Sequence, residues 1–148
     1  MNRLKCFVCD IDGTIANIAH RLHYIKGEVK DWKKFKSLAK EDGTHDEVIE
    51  VIRALAYANY KIVLCTGRTI DEEPMTLAWL DVNNIPADAV YMRENDDHRD
   101  DDVVKVELLE KIKADGYDIV AWFDDRTRVV NAIRAEGVKV FQVRPGDF

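Results

Sequence analysis

Short apolar runs alternate along this chain with longer segments in which apolar side chains recur every three or four positions. Brief runs bounded by glycine or charged residues are typical of buried strands, and the longer spacing is typical of amphipathic helices. The runs predict strands over LKCFVC at 4–9, KIVLC at 61–65, DAVYM at 88–92, YDIVAWF at 117–123 and VKVFQV at 138–143.

Helices are predicted between these strands. Residues 46–59 have an apolar helical stripe with acids in the first turn, and 71–82 begins with acids and a proline. Two further helices are predicted over 103–115 and 126–137, and Gly137 closes the second. Strands separated by helices favour a Rossmann-like α/β fold, in which a parallel sheet has helices on both faces.

Residues 17–44 interrupt this alternation. The segment is too long for a simple connection and looks partly helical, so we expect a small cap-like insertion over the site. Trp32, Phe35 and Leu38 recur at helical spacing and predict its packing face, with base stacking as the minor alternative. Its lysines fit an ordinary solvated face or a surface that guides an anionic polymer. They are Lys26, Lys30, Lys33, Lys34, Lys36 and Lys40.

Composition and charge narrow the class of protein. The 148 residues fit a single domain over 1–148, and 47% hydrophobic with 34% charged residues is typical of a globular chain. There is no stretch long and apolar enough for a bilayer and no signal-like start, so we expect a cytoplasmic protein with no membrane association. The net charge of −6 argues against a general nucleic-acid coat protein, although a local basic patch remains compatible with it.

Cys6 and Cys9 form a CxxC pair that elsewhere indicates redox chemistry or half a metal site. If residues 4–9 are a strand, an odd separation places the two side chains on opposite faces of the sheet, because neighbouring residues alternate. We therefore predict two buried thiols that do not meet.

Polar residues gather where the predicted strands end, and the carboxyl ends of parallel strands share one edge of a sheet. Several carboxylates at one point repel one another and require a divalent cation, and oxygen ligands alone favour Mg²⁺ over zinc. The sequence therefore predicts an acidic magnesium site with hydroxyl and cationic neighbours. Its members are Asp10, Asp12, Thr66, Gly67, Arg68, Asp124 and Asp125 at strand ends, and Lys105 near a helix start.

This set of residues suits phosphoryl transfer. A carboxylate such as Asp10 can attack phosphorus and form an acyl phosphate that water later hydrolyses. Asp12 can protonate the leaving oxygen and then activate water, because Gly13 allows the chain to turn. Thr66 and Lys105 are expected to stabilise the phosphoryl oxygens, since this reaction depends mainly on positioning and electrostatics.

Four segments in this order resemble the motifs of the haloacid dehalogenase-like phosphatase superfamily. They are CDIDGTIA at 9–16, LCTGR at 64–68, Lys105, and FDDR at 123–126. Within that superfamily the chain is most similar to the 3′-phosphatase domains of bacteriophage polynucleotide kinases, through Arg21, RDDDVVK at 99–105 and WFDDRTRVV continuing to the end.

The resemblance implies a role for each matching residue. Asp10 would be nucleophile and metal ligand, and Asp12 would be acid/base and a ligand through its backbone carbonyl. Asp124 and Asp125 would complete the metal shell, with Asp125 favoured as the direct ligand. Thr66 and Lys105 would hold the phosphate. The remaining residues are Arg21, Gly67 and Arg68, which would contact substrate, and Asp101 or Asp102, one of which would orient the basic groups.

Some residues keep a simpler interpretation. Arg68 on its own would be a surface partner of Asp71 or Glu72, and the acids at 100–102 would merely favour a helix start. Compared with the family, the insertion is longer and richer in lysine, and the chain has no GxxxxGK[ST] motif, so kinase activity would need a separate partner.

The resulting prediction is an Mg²⁺-dependent phosphatase that removes 3′-phosphate from DNA or RNA ends, with a separate kinase or ligase as possible partner. A phosphatase for free nucleotides or other small molecules is the alternative, because the core chemistry does not specify what carries the phosphate. A non-enzymatic phosphoaspartate receiver fits less well. Such a receiver has its phosphate-accepting aspartate after a middle strand of the chain, whereas Asp10 follows the first strand. The sequence leaves open the preference for DNA or RNA and the oligomeric state.

Overall fold

In a computed structural model that describes residues 3–148, five parallel strands form one sheet in the order β5-β4-β1-β6-β7. A second, two-stranded antiparallel sheet joins β2 and β3. The strands are β1 (Leu4–Cys9), β2 (Ala16–Asn17), β3 (Gly43–Thr44), β4 (Lys61–Thr69), β5 (Ala89–Arg93), β6 (Tyr117–Asp124) and β7 (Val140–Gln142). The parallel sheet predicted from the alternating pattern is confirmed.

Helices cover both faces of the main sheet. They are α1 (Trp32–Ser37), α2 (Asp46–Tyr57), α3 (Glu73–Val82), α4 (Asp101–Ala114) and α5 (Thr127–Ala135). Residues of α2 and α3 contribute to one core layer, and residues of α4 and α5 to the other. This Rossmann-like arrangement directs the carboxyl ends of β1, β4 and β6 toward one edge of the sheet, where ligands bind in such folds.

The predicted placement of Cys6 and Cys9 is also confirmed. Cys6 lies in the core layer of α4 and α5, and Cys9 lies in the layer of α2 and α3. Both are fully buried and free, as is Cys65. The CxxC spacing therefore reflects strand packing.

The segment predicted as an insertion contains α1 flanked by two short 3₁₀ helices, Ala19–Tyr24 and Ala39–Glu41. Phe35 is buried and Leu38 is half-buried, as expected for a packing face. Trp32 differs, because 50% of its surface is exposed while its ring meets Phe35 edge-on.

Several predicted boundaries differ from the structure, and two of these differences concern residues of the site. β4 continues to Thr69 and does not end at 65, because its pairing with β5 resumes at Thr69 and Arg93 after a bulge at Gly67 and Arg68. α4 begins at Asp101, two residues before the predicted start, since its first acids favour the positive end of the helix. Within residues 3–148 no helix is long and apolar enough to cross a membrane.

Candidate active site

Asp10 lies directly beyond β1, at the centre of the carboxyl edge, and is almost fully buried. Its backbone N–H donates to the carbonyl of Phe123 on β6 (3.0 Å), which fixes the loop against the sheet. Lys105 on α4 donates from Nζ to Asp10 Oδ1 (2.8 Å) and to Asp124 Oδ2 (2.9 Å). The Thr14 hydroxyl donates to the other oxygen, Asp10 Oδ2 (2.8 Å). Both oxygens of the expected nucleophile are thus held in place.

Three carboxylates converge here, because oxygen atoms of Asp10, Asp124 and Asp125 lie within 4.8 Å of one another. Burial raises the pKa of Asp10, and the charge of Asp124 adds to this increase while Lys105 opposes it. Burial and Asp124 likewise raise the pKa of Asp125. One lysine does not balance three buried acids, so the cluster favours an additional cation.

Asp124 and Asp125 have different surroundings. The oxygens of Asp124 accept from Lys105, from the Trp122 indole (3.2 Å) and from the backbone N–H of Asp125 (2.9 Å). Within residues 3–148 the one hydroxyl or N–H group near the Asp125 carboxylate is the Thr14 hydroxyl at 3.5 Å, and its single proton is already donated to Asp10. Asp125 therefore retains more lone pairs for a ligand than Asp124 does.

Gly13 makes the approach of Asp125 possible. Its φ of +82° lies in the left-handed region that glycine adopts without strain. A Cβ atom at this position would also overlap the Asp125 carboxylate. The glycine of the DxDG segment thus serves both the turn and the close packing of the acidic cluster.

The Asp12 side chain points away from the three carboxylates and toward two arginines. Arg68 donates to it from Nη2 (2.6 Å) and Nε (3.1 Å), and Arg21 donates from Nη2 (2.9 Å). Burial alone would raise the pKa of Asp12, but the charge and hydrogen bonds of Arg68, with the charge of Arg21, hold it below its usual value. Asp12 is therefore kept ionised beside the cluster.

Asp42 connects these two arginines. No sequence pattern predicted it as a site residue. Its side chain is fully buried and accepts from Arg21 Nε and Nη2 (both 2.8 Å), from Arg68 Nη2 (3.4 Å) and from the His20 ring (2.7 Å). The sequence shows no periodic signal for Asp42, because its partners lie far from it along the chain. Asp42 fixes the direction from which both arginines reach Asp12.

Arg21 and Arg68 were both predicted to contact substrate. Arg21 is 1% exposed and stacks on Phe35 with its guanidinium carbon 4.2 Å from the ring centre. Arg68 is also buried, and its Nη1 donates to the Thr76 hydroxyl (3.0 Å). Both guanidinium groups are thus engaged by protein acceptors, and the simpler interpretation of Arg68 as a surface partner of Asp71 or Glu72 is wrong.

Thr66 and Gly67 occupy the bulged end of β4. The buried Thr66 hydroxyl accepts from the backbone N–H of Arg68 (3.1 Å). A Cβ atom at Gly67 would meet the Asp101 carboxylate, so glycine allows α4 to approach this loop. Arg93 is a second residue that the sequence did not predict. It donates from Nε to the Gly67 carbonyl (2.8 Å), and its Nη2 lies 3.4 Å from Asp101 Oδ1. Arg93 thereby joins the ends of β4 and β5 to α4.

The structure separates the two adjacent acids of α4. Asp101 faces the site, with Oδ2 3.7 Å from Lys105 Nζ. Asp102 instead pairs with Arg128 (3.1 Å) on the outer surface. Between these two candidates for orienting the basic groups, Asp101 is the one that lies beside them.

Comparisons with known proteins identify the family of this chain. Residues 4–148 match the family described as the polynucleotide kinase PNKP phosphatase domain. A putative bifunctional polynucleotide kinase/RNA ligase from Autographa californica nuclear polyhedrosis virus is 28% identical over 128 residues, which are 85% of this chain and 17% of that protein.

Solved structures give the same result. A chain of the Pnkp1/Rnl/Hen1 RNA repair complex superposes with a TM-score of 0.86 and 30% identity, over 99% of this chain and 44% of that one. A haloacid dehalogenase-like hydrolase from Streptococcus pneumoniae shares the fold, with a TM-score of 0.68 and 11% identity over 94% and 84% of the two chains.

This chain spans less than half the length of its relatives in the polynucleotide kinase group. The match that extends over 4–148 nevertheless includes every strand end that contributes an acid to the cluster. The chain is a phosphatase of the haloacid dehalogenase-like superfamily and belongs to the polynucleotide kinase phosphatase domain family.

Proposed function

We propose that the protein is an Mg²⁺-dependent phosphomonoesterase that removes 3′-phosphate from DNA or RNA ends through an aspartyl phosphate on Asp10. The observation that carries the proposal is the buried Asp10, held by Lys105 and Thr14, with Asp12 kept ionised two residues away. Membership of the polynucleotide kinase phosphatase family, and relatives named for kinase, ligase and RNA repair, favour a polynucleotide end as substrate.

The acidic cluster fits a magnesium ion. Its donors are all oxygen atoms, they converge from two strand ends, and their combined negative charge exceeds that of Lys105. Asp10, Asp125 and the Asp12 backbone carbonyl would hold the ion, and Asp124 would orient Lys105 and support the shell. When bound, Mg²⁺ neutralises the carboxylates and the phosphate charge, which lets an anionic substrate enter.

In the first step a carboxylate oxygen of Asp10 attacks phosphorus and the bond from phosphorus to the 3′ oxygen breaks. Asp12 in its protonated form donates its proton to that leaving oxygen, which departs as a hydroxyl. Arg21 and Arg68 each donate a hydrogen bond to Asp12. The negative charge of a phosphate beside these arginines would offset their positive charge. The arginines would then stabilise ionised Asp12 less, so the arrival of the phosphate raises the proton affinity of Asp12.

In the second step the Asp12 carboxylate takes a proton from water, and the water oxygen attacks phosphorus. The bond between phosphorus and Asp10 breaks and inorganic phosphate leaves. Asp12 then gives its proton to solvent water and is again ionised beside Arg21 and Arg68, and it takes up a proton when the next phosphate arrives. Lys105 stays within hydrogen-bond reach of Asp10 and stabilises charge on the transferred group in both steps. We expect the buried Thr66 hydroxyl, at the bulged end of β4, to donate to the same oxygens.

The test is phosphate release from a 3′-phosphorylated oligonucleotide and from a nucleoside 3′-monophosphate, each with Mg²⁺ or EDTA. We expect release that requires Mg²⁺, favours the oligonucleotide and is lost in Asp10→Asn. Asp102→Asn is the matched control and is expected to keep wild-type activity, because Asp102 faces Arg128 on the surface. Full activity of Asp10→Asn would refute the mechanism, and better turnover of the monophosphate would shift the assignment to nucleotide metabolism.

A kinase or ligase on another chain would complete end repair, since the name of the viral relative contains both activities. Co-purification of this protein with a polynucleotide kinase or RNA ligase from the same cells tests this partnership. Recovery of the phosphatase without either enzyme, under conditions that preserve weak complexes, would argue against it.

A further inference from the structure

The charge of this protein is unevenly distributed. Residues 17–44 contain seven Lys or Arg and four Asp or Glu, against 15 and 24 in the rest of the chain, so the segment carries +3 and the remainder −9. Arg21 and Asp42 are buried and neutralise each other. The positive charge of the segment therefore lies on its outer surface, mainly on lysines of α1 and the residues before it.

Two contacts place α1 beside the candidate active site. Phe35 stacks under Arg21, which reaches Asp12 (2.9 Å). Lys36 donates from Nζ to the Thr69 hydroxyl (3.1 Å), one residue beyond Arg68, and the same Nζ lies 3.8 Å from Glu72 Oε2. One edge of α1 thus contacts Arg21 and Thr69, which lie beside Asp12 and Arg68.

Trp32 lies on that same edge, because residues four apart in a helix share a face. Half of its surface is exposed, whereas Trp79 and Trp122 are almost fully buried. The ammonium group of Lys30 lies 5.9 Å from the centre of its ring, and Phe35 meets the ring edge-on at 5.8 Å. A half-exposed aromatic ring among lysines, on an otherwise acidic protein, has the chemistry that holds single-stranded nucleic acid.

We propose that Lys30, Trp32, Lys33 and Lys36, here called the α1 strip, bind the single-stranded polynucleotide that precedes the terminal phosphate. Trp32 stacks on a base, and the lysines contact backbone phosphates. This inference rests on the proposed function, since it assigns the polymer part of the substrate to the same site. Because stacking and phosphate contacts do not read sequence, the α1 strip binds without base preference.

The experiment measures KM and kcat for a 3′-phosphorylated oligonucleotide and for a nucleoside 3′-monophosphate in parallel. Trp32→Ala is expected to raise KM for the oligonucleotide about 5-fold or more, with kcat and monophosphate turnover unchanged. Trp32→Phe retains most of the wild-type affinity, because it keeps an aromatic face. Lys33→Ser reduces the salt dependence of oligonucleotide binding, whereas Lys111→Ser, on an exposed residue in the last turn of α4, does not.

A binding measurement separates the α1 strip from catalysis. A short thymidine oligonucleotide with a 3′-hydroxyl should quench the fluorescence of exposed Trp32, and Trp32→Phe should remove that quenching. Equal losses on both substrates would overturn the proposal in favour of a structural role for α1, and unchanged kinetics in every variant would show an ordinary solvated face. If no phosphorylated substrate is turned over while quenching persists, the proposed function fails and the α1 strip stands.

Discussion

Asp42→Asn removes one charge from the buried network that holds Asp12, and preserves the size of the side chain. In the wild type the Asp42 carboxylate is fully buried, accepts two 2.8 Å hydrogen bonds from Arg21 and lies 3.4 Å from Arg68. The asparagine amide presents one acceptor oxygen and an NH₂ group that faces these donors. Arg21, 1% exposed, would then keep Asp12 as its one anionic partner among residues 3–148.

Breaking a buried ion pair by removing one partner costs about 3–5 kcal/mol, because a buried charge is left uncompensated. Since Arg21 retains Asp12 and asparagine keeps one acceptor, we expect the lower end of this range, about 3 kcal/mol. For a chain of this size that loss lowers Tm by roughly 6–12 °C. The replacement of a bidentate carboxylate, and not the loss of volume, is responsible for the effect.

The assay is urea unfolding followed by far-UV circular dichroism at pH 7, with Asp102→Asn as control. Asp102 forms its ion pair with Arg128 on the surface, where such pairs contribute about 1 kcal/mol or less, so the control should stay near the wild type. An Asp42→Asn protein that unfolds within about 0.5 kcal/mol of the wild type would refute the reasoning, because it would show that Arg21 and Arg68 do not depend on Asp42.

Three further predictions concern other parts of the molecule. Gly13→Ala should destabilise the fold by about 2 kcal/mol and abolish Mg²⁺-dependent activity, whereas Gly27→Ala, with positive φ but no neighbour within 4 Å, should leave activity intact. Arg93→Lys should lower kcat about tenfold, because lysine cannot join the Gly67 carbonyl to Asp101; equal kcat in steady-state assays would exclude this role. Burial raises the pKa of Cys6 to about 12, so the unfolded chain, with a thiol pKa near 9, releases its proton first as pH rises. The stability that the protonated Cys6 thiol contributes is therefore present below pH 9 and lost above it. Cys6→Ala should reduce the fall in unfolding free energy between pH 8 and pH 10 by about 1.4 kcal/mol, as measured by urea unfolding.

The sequence alone determined the parallel sheet, the position of its acidic edge and the separation of Cys6 from Cys9. These features follow from local signals, because strand period and strand ends are written in neighbouring residues. Asp10, Asp124 and Asp125 could be placed together for the same reason: each directly follows or ends a buried strand. The resemblance of the motifs added the catalytic roles that the pattern by itself does not specify.

Tertiary structure decided the surroundings of Asp12. Arg21, Asp42 and Arg68 meet there although 26 to 47 residues separate Arg68 from the other two, and no periodicity connects positions so far apart. The choice of Asp101 over Asp102 depended on the rotation of α4 against the sheet, and the length of β4 on its resumed pairing with β5. Local pattern fixes which residues reach the edge of the sheet, and only packing determines which charges then neutralise one another, since ion pairs depend on distance in space.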